Sequence, residues 1–161
     1  VLSVADNQIV ITGRTGAGRI LSSPTKRQGF VYLVSIGSLE EPPPAGFRNV
    51  QRRLRLLFED ELTQQLGGAS REHVEALVDF GREVDFSKGR LLVHCQAGIS
   101  RSSAAAVIIL ATTLGAGEAM HIAAHLRRLY PQCRPNRLML QLADDVLSTG
   151  GVLQQAWAGG A

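Results

Sequence analysis

Four short apolar runs stand apart from the rest of the chain: IVIT (9–12), VYLVSI (31–36), LRLLF (54–58) and LLVHC (91–95). Each predicts a β-strand. The second and fourth are nearly continuous, as in strands covered on both faces of a sheet. In the third, Leu54, Leu56 and Phe58 share one face.

Four later segments carry helical spacing instead. Ser70 can N-cap REHVEALVDFG, where Val74, Leu77 and Val78 form a stripe and Gly81 lies near the end. SSAAAVIILATTLG is apolar nearly all round and predicts a buried helix. EAMHIAAHLRRLY lines up Ile122, Leu126 and Leu129 and stops at Pro131. PNRLMLQLADDVL has Asn136 as N-cap and Leu138, Leu142 and Val146 as its stripe. EEPPPAG (40–46) forbids helix and central strand and is an exposed loop. GAGRILSSPTKRQG is read as loop with one helical turn from Pro24, and the small-residue tail GGVLQQAWAGGA as a fraying end in which Trp157 is structural. No internal repeat is visible. Strands first and helices later, with a helix on each side of the strand at residue 95, predict an α/β fold: a single layered domain (1–161) with a central, mostly parallel sheet of four to five strands and helices on both faces.

A length of 161 residues suits one domain, and 45% hydrophobic with 19% charged content is ordinary for a globular chain. The net charge of +3 and pI near 9.3 admit acidic partners but select none. Two cysteines, Cys95 and Cys133, make no disulfide framework, so a reducing compartment, the cytoplasm, is expected. The longest apolar stretch, 104–114, falls short of the roughly 20 residues a membrane span needs. The start VLSVADNQ has neither the basic segment nor the apolar core of a signal peptide, and it does not begin with methionine.

The chemistry concentrates where the fourth strand meets the buried helix, in HCQAGISR. Backbone N–H groups at a helix N-terminus lack intrahelical partners and favour anions. Gly98 lets a short loop curl its N–H groups toward one centre. Arg101, six positions after Cys95, adds a planar fork suited to two phosphate oxygens. A thiol among such donors has a pKa of roughly 3.5–7.5 rather than about 8.5. A thiolate beside a bound phosphate implies attack on phosphorus.

His94-Cys95-x5-Arg101-Ser102 resembles the H-C-x5-R-[S/T] signature of the cysteine-dependent protein tyrosine phosphatase superfamily. The chain's size resembles the small dual-specificity and bacterial-type branch. The resemblance is strongest over 54–147, and RPNRLMLQLADDVL is similar to the closing helix of small alphaproteobacterial-type phosphatases. It implies a dual-specificity-phosphatase-like fold and a metal-independent phosphomonoesterase with no cofactor. Cys95 is then the nucleophile that forms a phosphocysteine, Arg101 the phosphate clamp, and Ser102 the hydroxyl that steadies the departing thiolate. His94 tunes the cysteine from behind. The amides of Gln96, Ala97, Gly98, Ile99, Ser100 and Arg101 bind phosphate.

In that branch an acid stands some 30 to 40 residues before the cysteine. Glu59, Asp60 and Glu61 fit, and Asp60, at 35 positions and just after a strand, is the choice. The plain alternative is a solvated acidic turn. The loop holds no lysine, whereas relatives that cleave inositol phospholipids tend to carry them. The expected partner is therefore a phosphorylated protein, phosphotyrosine first, with phosphoserine and phosphothreonine as further candidates. Phosphate-like oxyanions should inhibit, and no nucleic-acid partner is expected. The alternatives are a phosphate-binding module without turnover, or a phosphoinositide or RNA 5′-phosphatase using the same loop.

Weaker signals remain. His121 and His125 have i,i+4 spacing, but with His73 they supply no evident metal site. Arginines in QRRLRLL and LRRLY either greet acidic substrates or line a solvated edge and helix face. Cys133 is a candidate to resolve an oxidised Cys95 as a disulfide.

Overall fold

The computed structural model describes residues 2–158. Four parallel strands, β1 (Ile9–Thr12), β2 (Phe30–Gly37), β3 (Arg52–Leu57) and β4 (Arg90–His94), form one sheet in the order β1-β4-β2-β3. Among the described residues seven α-helices accompany them: α1 (Arg14–Ser22), α2 (Pro24–Arg27), α3 (Arg71–Glu83), α4 (Arg101–Leu114), α5 (Ala119–Leu129), α6 (Arg137–Val146) and α7 (Val152–Ala158).

Alternation along the strands divides the core. Leu33 and Leu92, paired across β2 and β4, turn toward α1 and pack with Ala17, Leu21 and Val50. Their neighbours Val34 and Val93 turn the other way, into the larger core with Ile36, Leu91, α3 and α4. Both faces of β2 and β4 are therefore covered, which explains their unbroken apolar runs. α4 is the spine of the larger layer. Its residues 101–111 are all buried, against α3, α5 and α6.

Three expectations need correction. The segment after β1 is not loop: α1 occupies 14–22, because Ala17 and Leu21 bury against the sheet strongly enough to override two helix glycines. The small-residue tail carries α7, with Leu153 and Ala156 buried, while 159–161 lie outside the described residues. On α6 the inward face is Met139, Leu140, Ala143 and Asp144; Leu138, Leu142 and Val146 flank it, half-buried. No helix among the described residues is long and apolar enough to cross a membrane.

Candidate active site

β4 delivers His94 and Cys95 to the C-terminal edge of the sheet, and the chain re-enters α4 at Arg101. Between them the loop turns back through Gly98, whose φ is +74°. A side chain there would be strained by that dihedral, and its Cβ would lie 2.6 Å from the carbonyl carbon of Thr12 and 2.7 Å from the amide of Gly13. Gly13 presses back, since a Cβ on it would meet the Gln96 carbonyl at 2.8 Å. Arg14 N–H donates to that same carbonyl at 3.0 Å. The β1–α1 junction thus moulds the loop from outside.

Inside the curl, Cys95 Sγ accepts from Gly98 N–H at 3.3 Å and lies 3.1 Å from Ser102 Oγ. Burial pushes this thiol's pKa up. The Ser102 hydroxyl and the backbone N–H groups of Ser102, Gly98 and Ile99 outweigh it and hold the pKa below the ordinary value. Arg101 is 6% exposed. Its Nη1 donates to the Phe58 carbonyl at 2.8 Å, while Nε is buried without a partner. An unsatisfied charged donor is costly inside a protein unless a ligand completes it.

Asp60 stands exposed at the rim. Its Oδ1 accepts from Ser100 Oγ at 2.7 Å and from Asn136 Nδ2 at 2.8 Å. Asn136 does three things at once. It caps α6 by accepting from Met139 N–H, it reaches back to the acidic loop, and its own N–H donates to the Ser100 carbonyl at 3.1 Å. Glu59 turns elsewhere, accepting from Leu39 N–H at 3.2 Å. Of the three acids, Asp60 is the one whose side chain is tied to the loop between Cys95 and Arg101.

His94 is wholly buried. Its Nδ1 lies 3.0 Å from the Cys95 carbonyl, which can only accept, so Nδ1 carries the proton. Burial pushes the imidazole pKa down to about 4, leaving the ring neutral and Nε2 an acceptor. Ser35 Oγ, at 2.6 Å, must then donate to Nε2. That leaves the Ser35 oxygen free to accept from Arg55 Nη1 at 2.8 Å, and Arg55 Nη2 donates to the Glu41 carbonyl at 2.7 Å. A directed chain therefore runs from Arg55 through Ser35 and His94 to the Cys95 carbonyl.

Ser35 and Arg55 were not legible as site residues. The available hint was a lone serine inside an apolar strand. Arg55 corrects the reading of QRRLRLL as a substrate-facing or solvated edge, since it turns inward and pairs with Glu41 at 3.6 Å. Arg53 covers Phe47, Arg127 covers Trp157, and Arg128 forms a two-pronged pair with Asp6. His73 closes a capping box with Ser70 and packs on Phe58; His121 pairs with Glu118. Among the described residues no group of three or more His, Cys, Asp or Glu is placed to hold a metal ion. Cys133 is a free, buried thiol, as is Cys95. Leu39, Leu62, Leu66 and Ile99 are exposed, the last of them on the loop between Cys95 and Arg101.

The fold carrying this loop has solved counterparts. One is the human tyrosine phosphatase-like serine/threonine/tyrosine-interacting protein, with TM-score 0.69 and 18% identity over 89% of this chain and 93% of that one. Human DUSP28 gives TM-score 0.65 and 20% identity over 88% and 89%. PTPMT1 in complex with PI(5)P gives 0.62 and 12% over 93% and 95%. The chain has the α/β fold of the dual-specificity and tyrosine phosphatases. No protein-family model and no curated protein matches the sequence.

Proposed function

We propose that residues 1–161 form one catalytic domain that hydrolyses phosphotyrosine, and secondarily phosphoserine or phosphothreonine, in phosphorylated proteins of the cytoplasm. The Cys95 thiolate attacks phosphorus. The P–O bond to tyrosine breaks as Asp60 gives its proton to the leaving oxygen, and phosphocysteine forms. Asp60 then takes a proton from water, whose oxygen attacks phosphorus. The P–S bond breaks, Ser102 donates to the departing thiolate, and inorganic phosphate leaves. The amides of 96–101 and the Arg101 guanidinium hold the equatorial oxygens. His94 stays neutral throughout and fixes the Cys95 carbonyl.

The observation that carries this reading is the buried Arg101, with an unpartnered Nε, beside a thiol of lowered pKa. The exposed Ile99 and the absence of lysine from the loop favour an aryl phosphate in a protein over an inositol phosphate. Hydrolysis of p-nitrophenyl phosphate in chelator, abolished by Cys95→Ser, is the direct test. Full activity in that variant ends the proposal.

The binding-module reading draws support from Asp60, one of whose oxygens already accepts two hydrogen bonds. Capture of a phosphotyrosine peptide with no phosphate released would favour it.

A further inference from the structure

A cavity of about 520 Å³ opens between α5, α7 and the segment leading into α6, and none of residues 94–102 lines it. This is within the roughly 300–1,000 Å³ of small-molecule sites. Its walls are of two kinds. Trp157, Leu140 and Pro135 are apolar, while Arg127, Arg134 and Arg137 bring three positive charges. No aspartate or glutamate lines it.

The guanidinium groups keep donors in reserve. Arg127 lies over the Trp157 ring at 4.5 Å and gives one nitrogen to the Ala156 carbonyl. Arg134 satisfies the Pro131 and Cys133 carbonyls through Nη1 alone. Arg137 has no hydrogen-bond or ion-pair partner among the described residues and is exposed. Three like charges around one cavity repel unless an anion is shared between them. Planar forks suit carboxylates, and an indole beside prolines and leucine suits a flat ring.

We propose that this cavity is a second ligand site, distinct from the phosphate-type loop, that takes a small aromatic carboxylic acid. The ring lies against Trp157 and Leu140, and the carboxylate is held by Arg137 with Arg134. This site is independent of the proposed hydrolase reaction. The segment that lines it is joined to the other loop through the backbone, because the N–H groups of Arg134 and Asn136 donate to the Ile99 and Ser100 carbonyls at 2.9 and 3.1 Å.

Trp157 is the chain's only tryptophan, so its emission reports on this cavity directly. The full chain is titrated with benzene-1,3-dicarboxylate at fixed ionic strength. A saturable emission change with a Kd of about 1 mM or tighter is expected. Arg137→Glu should weaken it by about tenfold or more, with Arg137→Gln between, and circular dichroism checks that both variants fold. The uncharged benzene-1,3-dicarboxamide should give no saturable change. The proposal is overturned by a linear, unsaturated response, by equal affinity in Arg137→Glu, or by equal binding of the diamide.

Discussion

Cys95 and Cys133 are equally hidden from solvent, at 2% and 1% exposure, and both lie in the same core. Burial acts on each first, and it raises both pKa values. At Cys95 four hydrogen-bond contributions from Ser102, Gly98 and Ile99 reverse the effect. At Cys133 only the Ser103 side chain and the Arg134 charge oppose burial, the charge of Cys95 adds to it, and the thiol is pushed up to about 11. The difference is local backbone direction: one sulfur sits where a loop turns its N–H groups inward, the other where it does not. Solvent access alone is a poor guide to which cysteine is reactive.

The sharpest way to break this contrast is to replace each sulfur. Cys95→Ser should lower p-nitrophenyl phosphate turnover by roughly 10⁴-fold or more. Cys133→Ser should leave kcat within about threefold, as expected for a residue outside the chemistry. Comparable losses in the two would erase the distinction. Asp60→Asn comes next, with a fall of about 10²–10⁴ in kcat and a distorted pH profile, while Glu59→Gln stays near the parent. Equal effects at the two positions would remove Asp60 from its assigned role.

Alkylation reads the two thiols in one sample. Hydrogen bonds hold the Cys95 thiol below its ordinary value, whereas burial pushes the Cys133 thiol up to about 11. Near neutral pH iodoacetamide should therefore label Cys95 well before Cys133, by mass spectrometry of the peptides. Labelling of Cys133 first would refute the assignment.

A smaller effect tests the chain behind the loop. Ser35→Ala strands the buried His94 Nε2 and should cost about 1–3 kcal/mol of stability, measured by denaturant unfolding. It should also move the Cys95 labelling profile, which Ser103→Ala should not do to the same extent. The least effect is linkage at Cys133. Its folded pKa is raised, so its contribution is present below the ordinary thiol value and fades as pH climbs toward about 11. Cys133→Ala should flatten that alkaline loss in thermal melts between pH 9 and 11; an unchanged slope would show that Cys133 does not cause it.

Much of the site was legible because its signals are local. His94, Cys95, Gly98, Arg101 and Ser102 fall within nine positions, on a strand-to-helix junction that periodicity marks well. Asp60 is singled out by the family resemblance and its place after a strand, and the fold sets its side chain against Ser100. What stayed hidden depends on contacts distant in sequence. Asn136 reads as an ordinary N-cap, yet its amide holds an acid 76 positions away. Arg55 looks like one arginine among several, until the fold sets it against Ser35 from the neighbouring strand. α1 escapes notice because two glycines and a following proline argue against a helix, and only the sheet beneath it supplies the compensating burial.

The strand order has a consequence for how the molecule is made. β4 is synthesised last of the four, yet it lies between β1 and β2. Until it inserts, the two earlier strands have no bonding partner on their facing sides, and the sheet cannot close from local pieces. Such late, non-local threading makes for slow folding. Since β4 leads directly into Cys95, its docking completes the sheet and sets that sulfur among its backbone donors in one event. Refolding followed by backbone circular dichroism and by the return of thiolate labelling should therefore share a single rate-limiting phase.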